Sequence, residues 1–307
     1  MGFFSRRKRS KSAGPVVGYF GKHPSAGDFL RHNASSPEVL GLDDWLASAL
    51  AAGPRLMPAW EATFGEGATL CFLCHRGAGR CLLGVLSPSH DRSGRLFPLI
   101  LFAELDSASI ASSCHALPHE AFLQAARALL DRRSSCSWEE LRDAALRLGP
   151  PDDSSLLEAR REHDHYLEST TTGVALDGIF GTGSQTRRAF SALQLIARSA
   201  SASGALPAYG VRCPLGANVQ GDAGLWLALL GQAAPALLPN VVWSDRALLF
   251  HHDLLPPKAL AAALDPTWQD DGICDLATTT TAASVELPPR EATLATLLRR
   301  QMQDSKA

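Results

Sequence analysis

The spacing of apolar residues predicts a strand-rich first third of the chain. Residues 16–20 form a short apolar run between two glycines, which is typical of a strand. Further strand-like runs cover residues 69–75, 81–86 and 97–103, with glycines at the turn between the first two. Because the connections are short, we expect antiparallel pairing. A polar loop is predicted over residues 23–36.

Apolar residues three and four positions apart predict helices in the rest of the chain. The first predicted helix covers residues 43–50, capped by Asp43 and ended by Pro54. The later helices are predicted at residues 120–132, 138–148 (with Ser137 as cap), 155–168, 187–200, 222–230, 257–264 and 291–302. Residues 174–180 and 211–213 are predicted as strands, and residues 241–243 and 247–250 as a closing hairpin.

Composition indicates a folded body with a basic extension. The 307 residues are 46% hydrophobic and 20% charged, which is typical of globular proteins and excludes a collagen-like or wholly disordered chain. We expect a disordered basic tail over residues 1–14 and an α/β body over 15–276, with room for subdomains at 15–150 and 151–276. Residues 277–307 are predicted to form a linker and an amphipathic helix, which either docks on the body or binds a partner.

The charge of the chain is unevenly distributed. Removing the five cations of the tail from the net charge of −2 leaves −7 for the remainder. A mildly acidic body argues against nucleic-acid binding, which needs a basic face. The tail has the charge for weak peripheral contact with an anionic membrane, or it is a solvated leader. Its cations are Arg6, Arg7, Lys8, Arg9 and Lys11.

The sequence contains no signal for export. No apolar run reaches the roughly 18 residues of a membrane-spanning helix. The basic start is not followed by the apolar segment of a signal peptide. The seven cysteines are odd in number and scattered, which is typical of reduced thiols. These features together predict a cytoplasmic protein.

Two segments contain metal-ligand residue types in unsuitable patterns. Cys71, Cys74 and His75 resemble part of a zinc site, but alternation along a strand would direct the two thiols to opposite faces. The segment from Glu162 to His165 reads Glu-His-Asp-His, and residues two apart on a helix do not share a face, although Glu158, Glu162 and His165 could share one. Buried thiols and a solvated helix face are the simpler interpretations.

The segment from Gly181 to Arg188 has the outline of a phosphate-binding loop. It lacks the Lys-Ser/Thr ending of a P-loop, and Thr186 stands where a dinucleotide fingerprint needs its third glycine. It either offers its arginines to an anion or is a turn before the next helix. A metal-dependent or nucleotide-binding enzyme or switch is therefore the alternative function, although no complete catalytic, cofactor or metal site is predicted.

Two loops are more distinctive than these segments. They read GYFGKHPSAGDF at residues 18–29 and PSHDRSGRLFPL at residues 88–99. Each follows a predicted strand and mixes glycines, aromatic residues and charges. One interpretation is that Asp28 and Asp91 pair with nearby cations and lock the loops together. The other is a surface for a partner or ligand.

The two loop motifs, in this order and at this spacing, resemble the TagF (ImpM) family of bacterial type VI secretion systems. Trp45 between them and the strand at residues 241–244 are similar to family features too. The resemblance is specific over residues 16–105 and looser over 106–276. This sequence departs from the family in having His23 where Leu is usual.

The resemblance implies an α/β (α+β), longin-like fold, in which helices flank a mainly antiparallel sheet. It also implies a non-enzymatic cytoplasmic protein at the inner-membrane face of the secretion base. The implied role is post-translational repression of secretion by binding a scaffold protein that has a forkhead-associated domain. We expect the two loops to form the binding surface, through Lys22, Asp28, Phe29, Asp91, Arg92, Arg95 and Phe97.

Overall fold

The structure is a computed structural model that describes residues 14–77, 79–107, 119–151, 153–203, 210–233, 239–251, 254–282 and 285–304. Its centre is a nine-stranded sheet in the order β2-β1-β5-β4-β3-β7-β8-β6-β9. Every neighbouring pair is antiparallel except β6 and β9. The strands are β1 (Val16–Gly21), β2 (Leu30–His32), β3 (Leu70–Cys74), β4 (Arg80–Ser87), β5 (Leu99–Asp106), β6 (Gly210–Pro214), β7 (Asn240–Trp243), β8 (Ala247–His251) and β9 (Ile273–Asp275).

Helices cover both faces of this sheet. Those beside the first strands are α1 (Pro37–Leu56), α2 (Trp60–Gly65), α3 (Glu120–Asp131) and α4 (Trp138–Leu146). The others are α5 (Asp153–Ser169), α6 (Thr172–Phe180), α7 (Gln185–Ser203), α8 (Val219–Ala233), α9 (Lys258–Leu264) and α10 (Leu294–Asp304). This mixed architecture with a mostly antiparallel sheet confirms the expected fold class. In the described part of the chain, no helix is both long and apolar enough to cross a membrane.

The two faces of the sheet carry separate hydrophobic cores. In β3, Phe72 and Cys74 pack in the core that includes α1, α2 and α9, whereas Cys71 and Leu73 pack in the core that includes α3, α4 and α6 to α8. Successive strand residues point to opposite faces, so this division is a direct result of β geometry. Cys71 and Cys74 therefore lie on opposite faces, as predicted.

Helix α1 starts earlier than its apolar pattern predicts. Ser36, not Asp43, is the N-cap, and its side chain accepts a hydrogen bond from the backbone N–H of Val39. Pro37 occupies the first turn, where its missing N–H costs no hydrogen bond. Pro54 lies inside the last turn instead of ending the helix.

The strand predicted at residues 174–180 is wrong, because this segment forms helix α6. Thr171 caps the helix by accepting a hydrogen bond from the N–H of Val174, and Gly181 ends it with a φ of 69°. A continuous apolar run of this length does not distinguish a buried strand from a helix. Thr171 and Gly181, the residue types that commonly begin and end helices, were the features of the sequence that indicated a helix.

Two strands lie where no strand was predicted. Leu30–His32 forms β2 inside the predicted polar loop and pairs with β1. Ile273–Asp275 forms β9 and pairs in parallel with β6. Both have three residues, too few to show periodicity. The predicted closing hairpin, by contrast, is confirmed by the pairing of β7 with β8.

Strands from before and after residue 150, where the sequence analysis allows a subdomain boundary, belong to the same sheet. Strand β3 pairs with β7, so Phe72 lies opposite Val242 in the middle of the sheet. At the other end of the chain, α10 docks on the body, with Leu294 and Leu297 fully buried. The backbone N–H of Leu294 also donates to the carbonyl oxygen of Thr170 at 3.0 Å.

Candidate functional site

The two distinctive loops meet at one end of the sheet. Gly21, the last residue of β1, pairs with Leu99, the first residue of β5. The first loop therefore leaves the sheet beside the point at which the second loop enters it. Gly21 has a φ of 123°, and a Cβ at this position would lie 2.0 Å from the carbonyl oxygen of Pro98. Glycine is required here by both the backbone conformation and the close approach.

Asp91 is the centre of the second loop. Its side chain is fully buried at 0% exposure. Oδ1 accepts hydrogen bonds from the N–H of Ser93 at 3.0 Å, the Ser93 hydroxyl at 2.7 Å and the N–H of Arg95 at 3.1 Å. These bonds shape the turn between His90 and Leu96, which form an isolated bridge.

The second carboxylate oxygen of Asp91 holds two cations. Oδ2 lies 2.7 Å from Arg95 Nε and 3.1 Å from Lys22 Nζ. The Ser93 hydroxyl, followed by the bonds from Arg95 and Lys22, lowers the pKa of Asp91 well below its usual range. Asp91 is thus a buried anion that organises the loops. It is not part of an exposed charged rim, in which it was expected to lie.

Further hydrogen bonds join the two loops directly. The backbone N–H of Arg92 donates to the carbonyl oxygen of Ala26 at 2.9 Å, and the Arg92 guanidinium donates to the carbonyl oxygen of Ser25. Arg95 Nη2 donates to the carbonyl oxygen of Gly27 at 3.2 Å. The predicted locking of the loops by ion pairs to Asp91 is confirmed.

Asp28, the other predicted anion, has a different position. It is exposed, and among the described residues it forms no ion pair. It therefore belongs to the accessible surface of the first loop.

Aromatic side chains anchor the same loops. The rings of Phe29 and Phe97 meet nearly perpendicular, with centroids 4.9 Å apart. Phe97 is buried in the core beneath α1, whereas Phe29 is half-buried. The guanidinium of Arg31 lies 4.9 Å from the centroid of Phe29, a cation–π contact. Phe97 is thus mainly a core residue, and Phe29 offers only part of its ring to the surface.

His23 ties the first loop to α4, a role that the sequence analysis missed. Its ring is fully buried, and its Nδ1 lies 2.9 Å from the hydroxyl of Ser25. The Ser25 hydroxyl accepts a hydrogen bond from the N–H of Trp138 at 3.0 Å. Burial lowers the pKa of His23. The start of α4 was predicted with Ser137 as its cap, and the structure adds Glu140 as the second half of a capping box. The contact of α4 with the first loop was not predicted.

The accessible part of the site consists of Asp28, Arg92, Ser93 and Arg95, here called the loop surface. Arg95 keeps 67% of its side chain exposed although its Nε is bound to Asp91. A guanidinium has five N–H donors, so each arginine retains donors beyond those already engaged. Two such groups on a fixed backbone are suited to carboxylate or phosphate groups of a ligand.

The segment from Glu162 to His165, which contains metal-ligand residue types, lies on α5. Glu162 and His165 are exposed, and burial lowers the pKa of the half-buried His163. Within the described residues, no group of three or more His, Cys, Asp or Glu side chains is arranged to hold a metal ion.

The segment from Gly181 to Arg188, which has the outline of a phosphate-binding loop, forms the turn between α6 and α7 and the start of α7. Gly181 and Gly183 have φ values of 69° and 159°, and the N–H of Gly181 closes α6 by donating to the carbonyl oxygen of Asp177 at 2.8 Å. Arg187 and Arg188 are exposed in the first turn of α7. The predicted turn interpretation accounts for this geometry.

Comparisons with known proteins place the loop surface inside a known domain. Residues 18–148 match the TagF N-terminal domain, which is described as type VI secretion system-associated. The crystal structure of PA0076 from Pseudomonas aeruginosa PAO1 is 26% identical, with a TM-score of 0.40. That similarity covers 45% of this chain and 64% of the PA0076 chain, which is less than two thirds of its length. Among curated proteins, no match is found.

Proposed function

Residues 18–148 form a TagF N-terminal domain, so the chain is a type VI secretion-associated protein, and from this premise we propose that it represses secretion by binding a scaffold protein with a forkhead-associated domain. The proposed protein is non-enzymatic and acts in the cytoplasm, at the inner-membrane face of the secretion base. The proposed binding site is the loop surface. The predicted membrane contact of the tail falls on residues 1–13, outside the described residues.

The observation that supports this proposal is the fixed presentation of Arg92 and Arg95. Their backbone N–H groups are held by Ala26 and by the buried Asp91. A surface that is already ordered loses less conformational entropy when it binds. The arginines favour a partner with an acidic patch, and Asp28 beside them helps to exclude partners with the wrong charge pattern.

A non-enzymatic role is consistent with how the polar groups of the loops are used. Asp91 is ionised and saturated with hydrogen bonds, as described above. His23 and Ser25 resemble a base and a nucleophile, but the Ser25 hydroxyl is engaged by Trp138 at the start of α4. Both groups hold the loops in position.

The test is a binding measurement with the purified scaffold protein of the same secretion cluster. The double variant Arg92→Gln/Arg95→Gln removes both cations without placing a new anion beside Asp91. We expect its Kd to rise at least about tenfold, since charge pairs at protein interfaces commonly contribute that much. Because the two guanidiniums also bond Ser25, Gly27 and Asp91, we expect a lower unfolding midpoint, and circular dichroism must show that the variant is folded at the temperature of the binding measurement.

The matched control is Arg161→Gln/Arg188→Gln, which removes two exposed arginines from α5 and α7. This variant should bind the scaffold protein like the wild type. Equal binding by the loop variant and the control would move the site away from the loops. A wild-type protein that does not bind the scaffold at all would overturn the proposed function.

A further inference from the structure

A pocket of about 230 Å³ opens at the end of the sheet opposite the two loops. Leu42, Trp45 and Cys74 line it from α1 and β3, and Leu255 and Pro257 line it from the segment before α9. The indole N–H of Trp45 donates to the carbonyl oxygen of Pro256 at 2.9 Å, which fixes the ring. The pocket is therefore preformed and largely apolar, as ligand pockets commonly are.

An exposed leucine enlarges the apolar lining of the pocket. Leu254 lines the pocket and is 52% exposed. It is one of the few large apolar side chains that the described body leaves in water. A pocket together with an exposed apolar rim is typical of a surface that another group covers.

The charged residues of the pocket favour a cationic occupant. Glu38 and Asp44 contribute carboxylates from α1, and neither forms an ion pair with another described residue. The opposing cation is Arg76, whose side chain lies against Gly41, and His75 also lines the wall. The two carboxylates thus outnumber the one permanent cation.

The described chain begins at the same end of the sheet as this pocket. Val16 pairs with Glu104, Glu104 with Leu82, and Leu82 with Cys74 in one row across the strands. Three strand spacings correspond to about 14 Å between Val16 and Cys74. The 13 residues that precede Gly14 reach up to about 43 Å when extended.

We propose that the chain's own N-terminal segment, residues 3–11, occupies this pocket. The adjacent aromatic residues Phe3 and Phe4 supply apolar side chains to fill the pocket and cover the exposed Leu254. The cations that follow, Arg6 to Lys11, are placed to meet Glu38 and Asp44. Because the segment is covalently attached, its effective concentration is of millimolar order, so a weak contact suffices.

This contact is separate from the proposed function, because it lies at the other end of the sheet from the loop surface. It gives the basic segment an intramolecular role. An anionic membrane would instead compete for the same cations.

The test is photo-cross-linking in the full chain. Phe4 is replaced by the photoreactive analogue p-benzoyl-phenylalanine, and the cross-linked site is mapped by mass spectrometry. We expect cross-links within residues 38–48 and 254–257, in a product with the mass of one chain. Ser48→Trp places a large side chain in the pocket lining and should lower this yield at least fivefold.

Two matched controls separate the pocket from general effects on α1. Ala47→Trp adds the same side chain at the neighbouring exposed position, outside the pocket lining, and should leave the yield unchanged. Glu38→Lys/Asp44→Lys should lower the yield at least fivefold, whereas Glu61→Lys/Glu66→Lys on and next to α2 should not.

Three outcomes would overturn the proposal. The first is equal cross-linking in the Ser48→Trp and Ala47→Trp variants. The second is a product with the mass of two chains, which would assign the pocket to the tail of a second copy. The third is cross-linking to vesicles of anionic lipid, with none to the pocket when vesicles are absent.

Discussion

Two of the buried, ion-paired charges in the described part of the chain, Asp91 and Arg212, differ in what surrounds them. In the loop cluster, the buried anion Asp91 holds the exposed Arg95 and the mostly buried Lys22, whose side chains are 67% and 14% exposed. In the other half of the sheet, the buried cation Arg212 on β6 pairs with Asp275 on β9 at 3.1 Å, and both side chains are at most 6% exposed. The first pair therefore positions an accessible surface, and the second holds the interior together.

The partners of Arg212 show how completely it is enclosed. Its guanidinium donates to the carbonyl oxygens of Ala262, Pro266 and Trp268 at 2.9 to 3.2 Å, in addition to Asp275. These carbonyls belong to the end of α9 and the segment that leads to β9. Arg212 thereby fixes a segment with little regular structure.

The comparison teaches that burial of a charge does not by itself mark a functional site. Arg95 keeps 67% of its side chain exposed and stays hydrated if Asp91 is lost, and the mostly buried Lys22 keeps a hydrogen bond to the carbonyl oxygen of Arg95. Arg212 has no such route, because it would remain as an unpaired buried cation. The substitutions that follow test this difference between Asp91 and Arg212.

The largest effect is expected from breaking the enclosed pair. Asp275→Ala should lower the free energy of unfolding by about 3–5 kcal/mol, because Arg212 is left without its counter-ion in the interior. Urea unfolding followed by tryptophan fluorescence measures this change. The double variant Arg212→Met/Asp275→Leu should lose less than the single variant; an equal or larger loss would show that packing, not the unpaired charge, is responsible.

A smaller effect on stability is expected from Asp91→Ala. After the change Arg95 can be hydrated and Lys22 keeps its bond to the carbonyl oxygen of Arg95, but the backbone N–H groups of Ser93 and Arg95 lose their acceptor. We expect a lower unfolding midpoint, together with faster proteolysis within residues 22–29 and 88–97. The Asp275→Ala variant should unfold more easily without selective cleavage there, and identical cleavage patterns would contradict the distinction between the pairs.

The smallest effect is expected from His23, which holds the loop cluster against α4. Burial lowers its folded-state pKa below the value of about 6.5 for an unfolded histidine. Its neutral form therefore contributes stability above pH 6.5, and this contribution is lost as the pH falls toward the folded-state pKa. His23→Leu should flatten the decline in unfolding free energy between about pH 7 and pH 5.

The control for this change is His165→Leu, at an exposed position on α5. It should leave the pH profile of the wild type unchanged. An equally steep decline in the His23→Leu protein would mean that another group, such as the half-buried His163, dominates the acid response.

The elements predicted from the sequence are those specified by nearby residues. Strands β1, β3, β4 and β5 follow from their apolar runs, and the start of α4 follows from Ser137 as its cap. The two loops were also identified, since their glycines and charges are concentrated in short segments. Helix α6 was assigned wrongly because its apolar run has no clear period, and β2 and β9 were missed because they are so short.

Contacts between residues far apart in the sequence could not be predicted from these local patterns. Nothing near Arg212 in the sequence indicates that Asp275 is its partner, because their proximity follows from the parallel pairing of β6 with β9. In the same way, Ser25 meets Trp138 only because the first loop folds against α4. The burial of Asp91 likewise could not be predicted, since alternation along a strand does not extend into a loop.

The sequence alone determined the apolar strands of the first third, the capped start of α4 and the two loop motifs, because each depends on the local conformational preferences of neighbouring residues. Only the tertiary structure decided which charges are buried, which remain accessible and which strands become neighbours. Those outcomes depend on desolvation and on packing between segments far apart in the chain. For this reason Asp91 and Arg95, four residues apart, have opposite exposure although both were predicted to lie on one surface.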